Sequence, residues 1–282
     1  MCRLLIILSR KSDECIPYCR LKNVLWFEEH ALFKQCYKPP YTPGDEGNPN
    51  NHHLNLDGYG IGYFIDGVSC SYHSTYMSWN DVQFQQMLRY IKTCIFLGHI
   101  RSIETFIDDP MHIFSLVHQF NCHPFIHKRW MFAHNGDVSP YSTGIGRKKI
   151  ICHISDDLII RVKGTTDSEH LFYLILTELL KEEGISDEEV GNAVVRTMKF
   201  LISLGGISII NFMLTDGNRC FVLRYSTDKS ISPPSMYWTS NDKEIVVVSE
   251  PIDRTSKWTI VKPSVLHVAR MDDDNLIPIL SL

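Results

Sequence analysis

Position 2 of this 282-residue chain is a cysteine, directly behind Met1 and directly ahead of the apolar run Leu4 to Leu8. The stretch "MCRLLIILS" reads as a buried strand over Arg3 to Ser9. Three origins would account for such an opening: a secretory signal, an ordinary core strand, or a nucleophile that must stand at the end of the chain. The signal fails on length, because Ser9, Arg10 and Lys11 follow at once where an h-region needs about 7–15 apolar residues. Nine cysteines at irregular spacing then read as reduced thiols of a cytoplasmic protein rather than a disulfide framework. A net charge of -4 offers no basic field for nucleic acid, and no apolar stretch approaches the roughly 18 residues of a membrane span.

Along the chain, strands come first, then helices, then strands again. Residues 34–57 are rich in Pro, Gly, Asn and Asp and read as a long surface loop. "GYGIGYFIDG" and "VSCSYHSTYM" read as two strands joined at Asp66-Gly67, Ser78 to Cys94 as a helix, and "TCIFLGHIR" as a further strand. "RWMFAHNG" reads as a short strand ending in a tight Asn135-Gly136 turn. "TTDSEHLFYLILTELLKEEG" predicts a helix capped by Thr166 or Asp167 and stopped at Gly184. "SDEEVGNAVVRTMKFLISLGG" predicts a second one, opened by a Ser186–Glu189 capping box and closed by Gly205-Gly206. These two make an antiparallel pair, and the segments from "ISIINFML" to "WTIVKPSVLHVAR" return to strand. That order implies packed layers of sheet and helix in one domain spanning residues 2–282, with Met1 removed.

Four places could carry chemistry, each with a bland alternative. Arg101 in "LGHIRS" is either a solvent-facing strand end or a guanidinium fork for a carboxylate. Asn135-Gly136 is either a plain turn or a pair of donors, the asparagine amide and the glycine N–H, forming an oxyanion hole. Asp167 is either a helix cap or a carboxylate that receives an ammonium group. Cys2 is either a buried strand cysteine or, once Met1 is removed, a thiol beside a free α-amine whose reference pKa is about 7.7–8.0. One residue would then supply both nucleophile and general base. His123, His127 and His134 do not read as a metal site, since zinc-like spacing and partner cysteines are missing.

Cys2 after Met1, "DGYGIGYF", "GHIR", "NCHPF", "FAHNG" and "TDSE", in that order, resemble the class II glutamine amidotransferases of the N-terminal-nucleophile hydrolases. The likeness is to the short, single-domain branch that includes bacterial amidotransferase-like proteins, the ergothioneine-pathway amidohydrolase and the fungal glutathione-degrading amidotransferase subunit. It implies an α+β fold, a four-layer α/β/β/α sandwich. It also implies that Cys2 attacks a γ-glutamyl carbonyl and forms a thioester, that Asn135 and Gly136 hold the oxyanion, and that Arg101 and Asp167 bind the substrate's α-carboxylate and α-ammonium. No metal or organic cofactor is called for. The expected substrate is a γ-glutamyl compound such as glutathione, or glutamine, and a peptidase-type partner subunit is implied by the fungal relatives. A catalytically idle, ligand-binding or scaffolding subunit is the alternative, as is an interaction protein using the 34–57 loop. The residues after Arg101, "SIETFIDDP", lack the small Thr/Gly-containing loop of the relatives, and "NHHLNL" stands ahead of Asp57 where the branch has an Asn-Gly pair.

Overall fold

The apolar run behind Cys2 becomes strand β1 (Arg3–Ser9), and all seven of its residues are buried. A strand can bury both faces only if it lies inside a sheet that is covered on both sides. The computed structural model, which describes residues 2–36, 57–76, 78–102, 117–180 and 185–282, supplies both covers. β1 is paired antiparallel with β4 (Ile95–Ile100) on one flank and β10 (Glu244–Val248) on the other. Outside β4 lie β2 (Tyr59–Ile65) and β3 (Val68–Ser74), and outside β10 lie β9 (Tyr237–Ser240) and β11 (Thr259–Ile260). The facing sheet runs β13 (Ile277–Ser281), β12 (Val265–Arg270), β8 (Arg219–Ser226), β7 (Ile209–Thr215), β6 (Trp130–Asp137), β5 (Phe125–His127).

The period-2 alternation of β1 divides its side chains between two cores. Leu4, Ile6 and Leu8 meet Met131, Ala133, Met213 and Val222 of the facing sheet. Leu5 and Ile7 point the other way, into a layer built from Leu21, Val24, Leu25, Phe33 and Phe84. The second sheet repeats the pattern. Its outer residues Phe132, Phe212, Leu214 and Phe221 pack under the helices Asp167–Leu179 and Asp187–Ser203 through Phe172, Leu176, Val194 and Met198. The result is helix, sheet, sheet, helix: the four-layer α+β sandwich.

Local chemistry explains where the sequence reading holds and where it shifts. Asp66 and Gly67 both have positive φ (49° and 76°), the twist a tight hairpin needs between β2 and β3. Thr166, not Asp167, caps its helix, accepting from the Glu169 N–H at 3.2 Å. The Ser186–Glu189 capping box is present in full. Gly184 and residues 37–56 of the expected loop lie outside the described residues, whereas Leu32–Cys36 forms a 3-10 turn with Gln35 and Cys36 buried.

The helix expected over Ser78 to Cys94 is shorter. Asp81 accepts from the Phe84 N–H at 2.9 Å and so starts the helix at Val82, and it ends at Met87 in a 3-10 turn. "WTIVKPSVLHVAR" is two strands, broken where Ser264 takes φ 59°. The expected Asn135-Gly136 turn is a correction too. Both residues continue β6, paired with Asn211 and Ile210 of β7.

Ile6 is 1% exposed between the two sheets. Ile6→Ala is expected to lower the unfolding free energy in urea by about 2–5 kcal/mol. Val68→Ala, at the 63% exposed edge position of β3, is expected to stay within about 0.5 kcal/mol of the parent.

Candidate active site

Cys2 stands one residue ahead of β1, and the register sets its neighbours. Arg3 pairs with Ile100, so the next step back along β1 meets the next step forward from β4, at Arg101. The Ser102 N–H donates to the Cys2 sulfur at 3.3 Å. On the other flank Arg3 forms an ion pair with Glu250 at 2.8 Å, the two side chains 5% and 4% exposed. Arg3 Nη1 also donates to the Cys2 carbonyl at 3.2 Å. Leu4 N–H donates to Ser249 Oγ at 2.9 Å, and Ser249 N–H returns a bond to the Leu4 carbonyl at 2.9 Å. Removing one partner of a buried ion pair strands the other charge and typically costs about 3–5 kcal/mol. The backbone around Cys2 is thus clamped on both sides.

Arg101 is buried, and its main chain is gripped by the start of β2. Its N–H donates to the Gly58 carbonyl at 2.8 Å, and the Asp57 N–H donates to the Arg101 carbonyl at 3.4 Å. Burial pushes the Cys2 thiol above its ordinary range, while the Ser102 N–H and the charges of Arg101 and Arg3 draw it down.

Alternation tells which way these residues face. Leu4, Ile6 and Leu8 of β1 face the inter-sheet layer, and Cys2 shares their parity. Ile95 and Leu97 of β4 face the same layer, and Arg101 shares theirs. From the opposite sheet, Met131 and Ala133 of β6 face it, and Asn135 continues that series. By this alternation the start of β1 and the ends of β4 and β6 turn Cys2, Arg101 and Asn135 toward the gap between the sheets.

Gly136 has φ 156°, and a Cβ built there would sit 1.8 Å from the Ile209 carbonyl oxygen and 2.9 Å from His134 Nε2. Only glycine fits that close approach to β7. Asp167, the first helical residue after the Thr166 cap, accepts from the Val138 N–H through Oδ2 and from the Ser168 N–H through Oδ1, both at 2.8 Å. Val138 lies two residues beyond Gly136, so this carboxylate is tied directly to the end of the Asn135–Gly136 strand.

Sequence reasoning missed the supports. Ser168 Oγ lies 2.9 Å from His134 Nδ1, and His134 Nε2 lies 3.2 Å from the Ile209 carbonyl. A carbonyl only accepts, so Nε2 carries the proton and Nδ1 accepts from the Ser168 hydroxyl. His99 and His123 sit between the sheets with ring centroids 4.0 Å apart. Burial holds both neutral, His99 pushed down to about 3 and His123 well below its ordinary value, with the Arg101 charge acting in the same direction. The signal that could have found Arg3–Glu250 was a lone charge at the head of an apolar strand. Nothing in the sequence points to its partner.

His127 lies apart, edge-on to Tyr173 at 6.0 Å. Among the described residues no three His, Cys, Asp or Glu side chains come together as metal ligands. A 570 Å³ cavity opens beside β3, lined by Tyr72, Ser74, Tyr76, Asp81 and Gln119 among others, and none of the five expected site residues lines it. The "SIETFIDDP" segment beyond Ser102 and the "NHHLNL" segment lie outside the described residues.

The family model of class-II glutamine amidotransferases matches residues 44–234. The chain belongs to that family. The matched span takes in Arg101, Asn135, Gly136 and Asp167 and begins beyond Cys2. Along 99% of its length the chain is 25% identical to the probable glutamine amidotransferase DUG3 of Saccharomyces cerevisiae, covering 85% of that protein. A glutamine aminotransferase class-II domain protein from Silicibacter pomeroyi superposes with a TM-score of 0.59 at 25% identity, over 79% of this chain and 91% of that one. The glutamine phosphoribosylpyrophosphate amidotransferase of B. subtilis shares the fold at 14% identity and a TM-score of 0.57, with 98% of this chain spanning 48% of that protein.

The buried histidines carry a pH signature. An unfolded histidine titrates near 6.5, whereas folded His99 does so near 3, so between these values the unfolded state binds the extra proton. Stability is fully present above about pH 6.5 and falls as the pH drops, by roughly 1.4 kcal/mol per pH unit for each such histidine. Urea unfolding from pH 7 to 4.5 is expected to show this slope, and His99→Leu to reduce it by about one histidine's share.

Proposed function

We propose that this class II amidotransferase domain, residues 2–282 once Met1 is removed, hydrolyses a γ-glutamyl amide through a thioester on Cys2. The observation that carries the reading is the Cys2 thiol held against the Ser102 N–H beside the Arg101 charge, on the inter-sheet face whose series Asn135 continues. In this reading the freed α-amine of Cys2 takes the thiol proton, and the sulfur attacks the γ-carbonyl. The Asn135 amide and Gly136 N–H receive the developing oxyanion. The α-ammonium returns the proton to the leaving amine, the amide C–N bond breaks, and water then releases glutamate from the thioester.

Arg101 is assigned to the substrate's α-carboxylate, for which a forked guanidinium is suited. Asp167 is assigned to its α-ammonium. A carboxylate has about four acceptor sites, and the Val138 N–H, the Ser168 N–H and the nearby Ser168 hydroxyl take up to three, leaving acceptor capacity for a ligand. Glutathione is the leading substrate, supported by the resemblance to the fungal glutathione-degrading branch, and a peptidase-type partner that takes the released dipeptide follows from the same resemblance. Cytoplasmic residence is part of this reading. Among the described residues no helix is long and apolar enough to cross a membrane.

A second reading, a ligand-binding subunit without turnover, is favoured by one observation: "SIETFIDDP" after Arg101 and "NHHLNL" ahead of Asp57 depart from the pattern of the branch. Glutamate release from glutathione and from glutamine separates the two. The hydrolase reading expects release by the Met-processed protein and its loss by at least about 10³-fold in Cys2→Ala, with ligand binding retained. Equal signals from parent and variant, or none from the parent on either substrate, contradict it.

A further inference from the structure

Two cysteines that the proposed chemistry does not use meet at the far end of the β1–β4 pair. Cys15 lies in the segment after β1, and Cys94 immediately precedes β4. The Ile16 N–H donates to the Thr93 carbonyl at 2.8 Å, and the Ser9 N–H donates to the Cys94 carbonyl at 2.7 Å. The first bond holds the chain just after Cys15 against the chain just before Cys94. The Cys94 thiol points back over this segment, 3.3 Å from the Ser12 carbonyl and 3.6 Å from that of Glu14, and lies within hydrogen-bonding reach of the Cys15 side chain. Two thiols in such contact are close enough to be bridged. Cys15 is exposed and Cys94 half-buried, so the pair is open to small reagents, whereas Cys36, Cys122 and Cys220 are buried.

We infer that Cys15 and Cys94 form a reversible dithiol–disulfide site that takes a low-molecular-weight disulfide as oxidant. The Cys15 thiolate attacks the reagent's S–S bond, joins one half and expels the other as a thiol. Cys94 then gives up its proton and attacks the Cys15 sulfur, so the Cys15–Cys94 bond forms as the second half leaves. Two electrons and two protons pass to the reagent, which ends as two thiols. Asp13 adds negative charge beside the pair, while Glu14 is ion-paired with Lys11, and the Asp13 charge favours a neutral reagent over an anionic one.

The bond would clip the β1 and β4 margins together at the end remote from Cys2 and Arg101, which lie about 20 Å away along the seven residues of β1. It closes a long loop of the unfolded chain, the case in which a cross-link restricts the denatured state most. The inference is independent of the hydrolase reading.

The test is treatment of the folded protein with the neutral disulfide 4,4′-dithiodipyridine, followed by non-reducing peptide mapping and thermal unfolding. The expected result is a Cys15–Cys94 linked peptide pair and a melting temperature raised by about 5 °C, both reversed by dithiothreitol. Cys15→Ser and Cys94→Ser are each expected to keep the reduced parent's melting temperature and to lose both the link and the shift. Stable mixed disulfides at the two positions, linkage of either cysteine to another residue, or an unchanged melting temperature after linkage would overturn the inference.

Discussion

The central constraint is the burial of β1 on both faces between β4 and β10. A terminal strand would ordinarily fray. Here its side chains fill two cores at once, and each fully buried Leu or Ile contributes about 1.5–3 kcal/mol relative to an exposed one. The Arg3–Glu250 ion pair and the reciprocal Leu4–Ser249 bonds then fix the start of β1, directly after Cys2. In the proposed reaction this clamping would orient the Cys2 thiol, and orientation is what converts proximity into rate.

The opposite sheet answers with an equally constrained edge. Gly136 approaches β7 too closely for any side chain, which keeps Asn135 and Gly136 in extended strand. The Asp167 carboxylate and the Ser168–His134 bond then fasten the start of the outer helix to that same strand end. The elements that carry Asn135, Gly136 and Asp167 are therefore bonded directly to one another. His99 and His123 lie in the gap behind them, held neutral chiefly by burial, with the Arg101 charge acting in the same direction.

Periodicity made most of the architecture legible. Leu4 to Leu8, the Asp66-Gly67 hairpin, and the Thr166 and Ser186 caps each express a local rule that tertiary contacts do not override. The misreadings occurred where a distant partner decided. Asn135-Gly136 carries the dipeptide of a turn, yet pairing with Asn211 and Ile210 keeps it in a strand. The apolar stretch after Ser78 was cut short because Asp81 serves as a cap and also accepts from the Tyr59 and Tyr72 hydroxyls. Motif order singled out Cys2, Arg101, Asn135, Gly136 and Asp167 as the proposed site, whereas nothing in the sequence pointed to the supports Glu250, Ser249 and Ser168. The roles of Ser249 and Glu250 depend on pairing between strands far apart in sequence, and that of Ser168 on how its helix docks against β6, neither of which a single sequence displays.

The claim beneath the proposed chemistry is that the working nucleophile is a thiol sharing its residue with a free chain-terminal amine. Intact-mass spectrometry of protein purified from cells, before and after reaction with a glutamine-analogue diazo-ketone, tests it most directly. The account predicts a chain lacking Met1 that gains one adduct, mapped to Cys2, with glutamine protecting against labelling. A chain that retains Met1 and still turns over its substrate at full rate, or an adduct on any other cysteine with Cys2 unmodified, would contradict it.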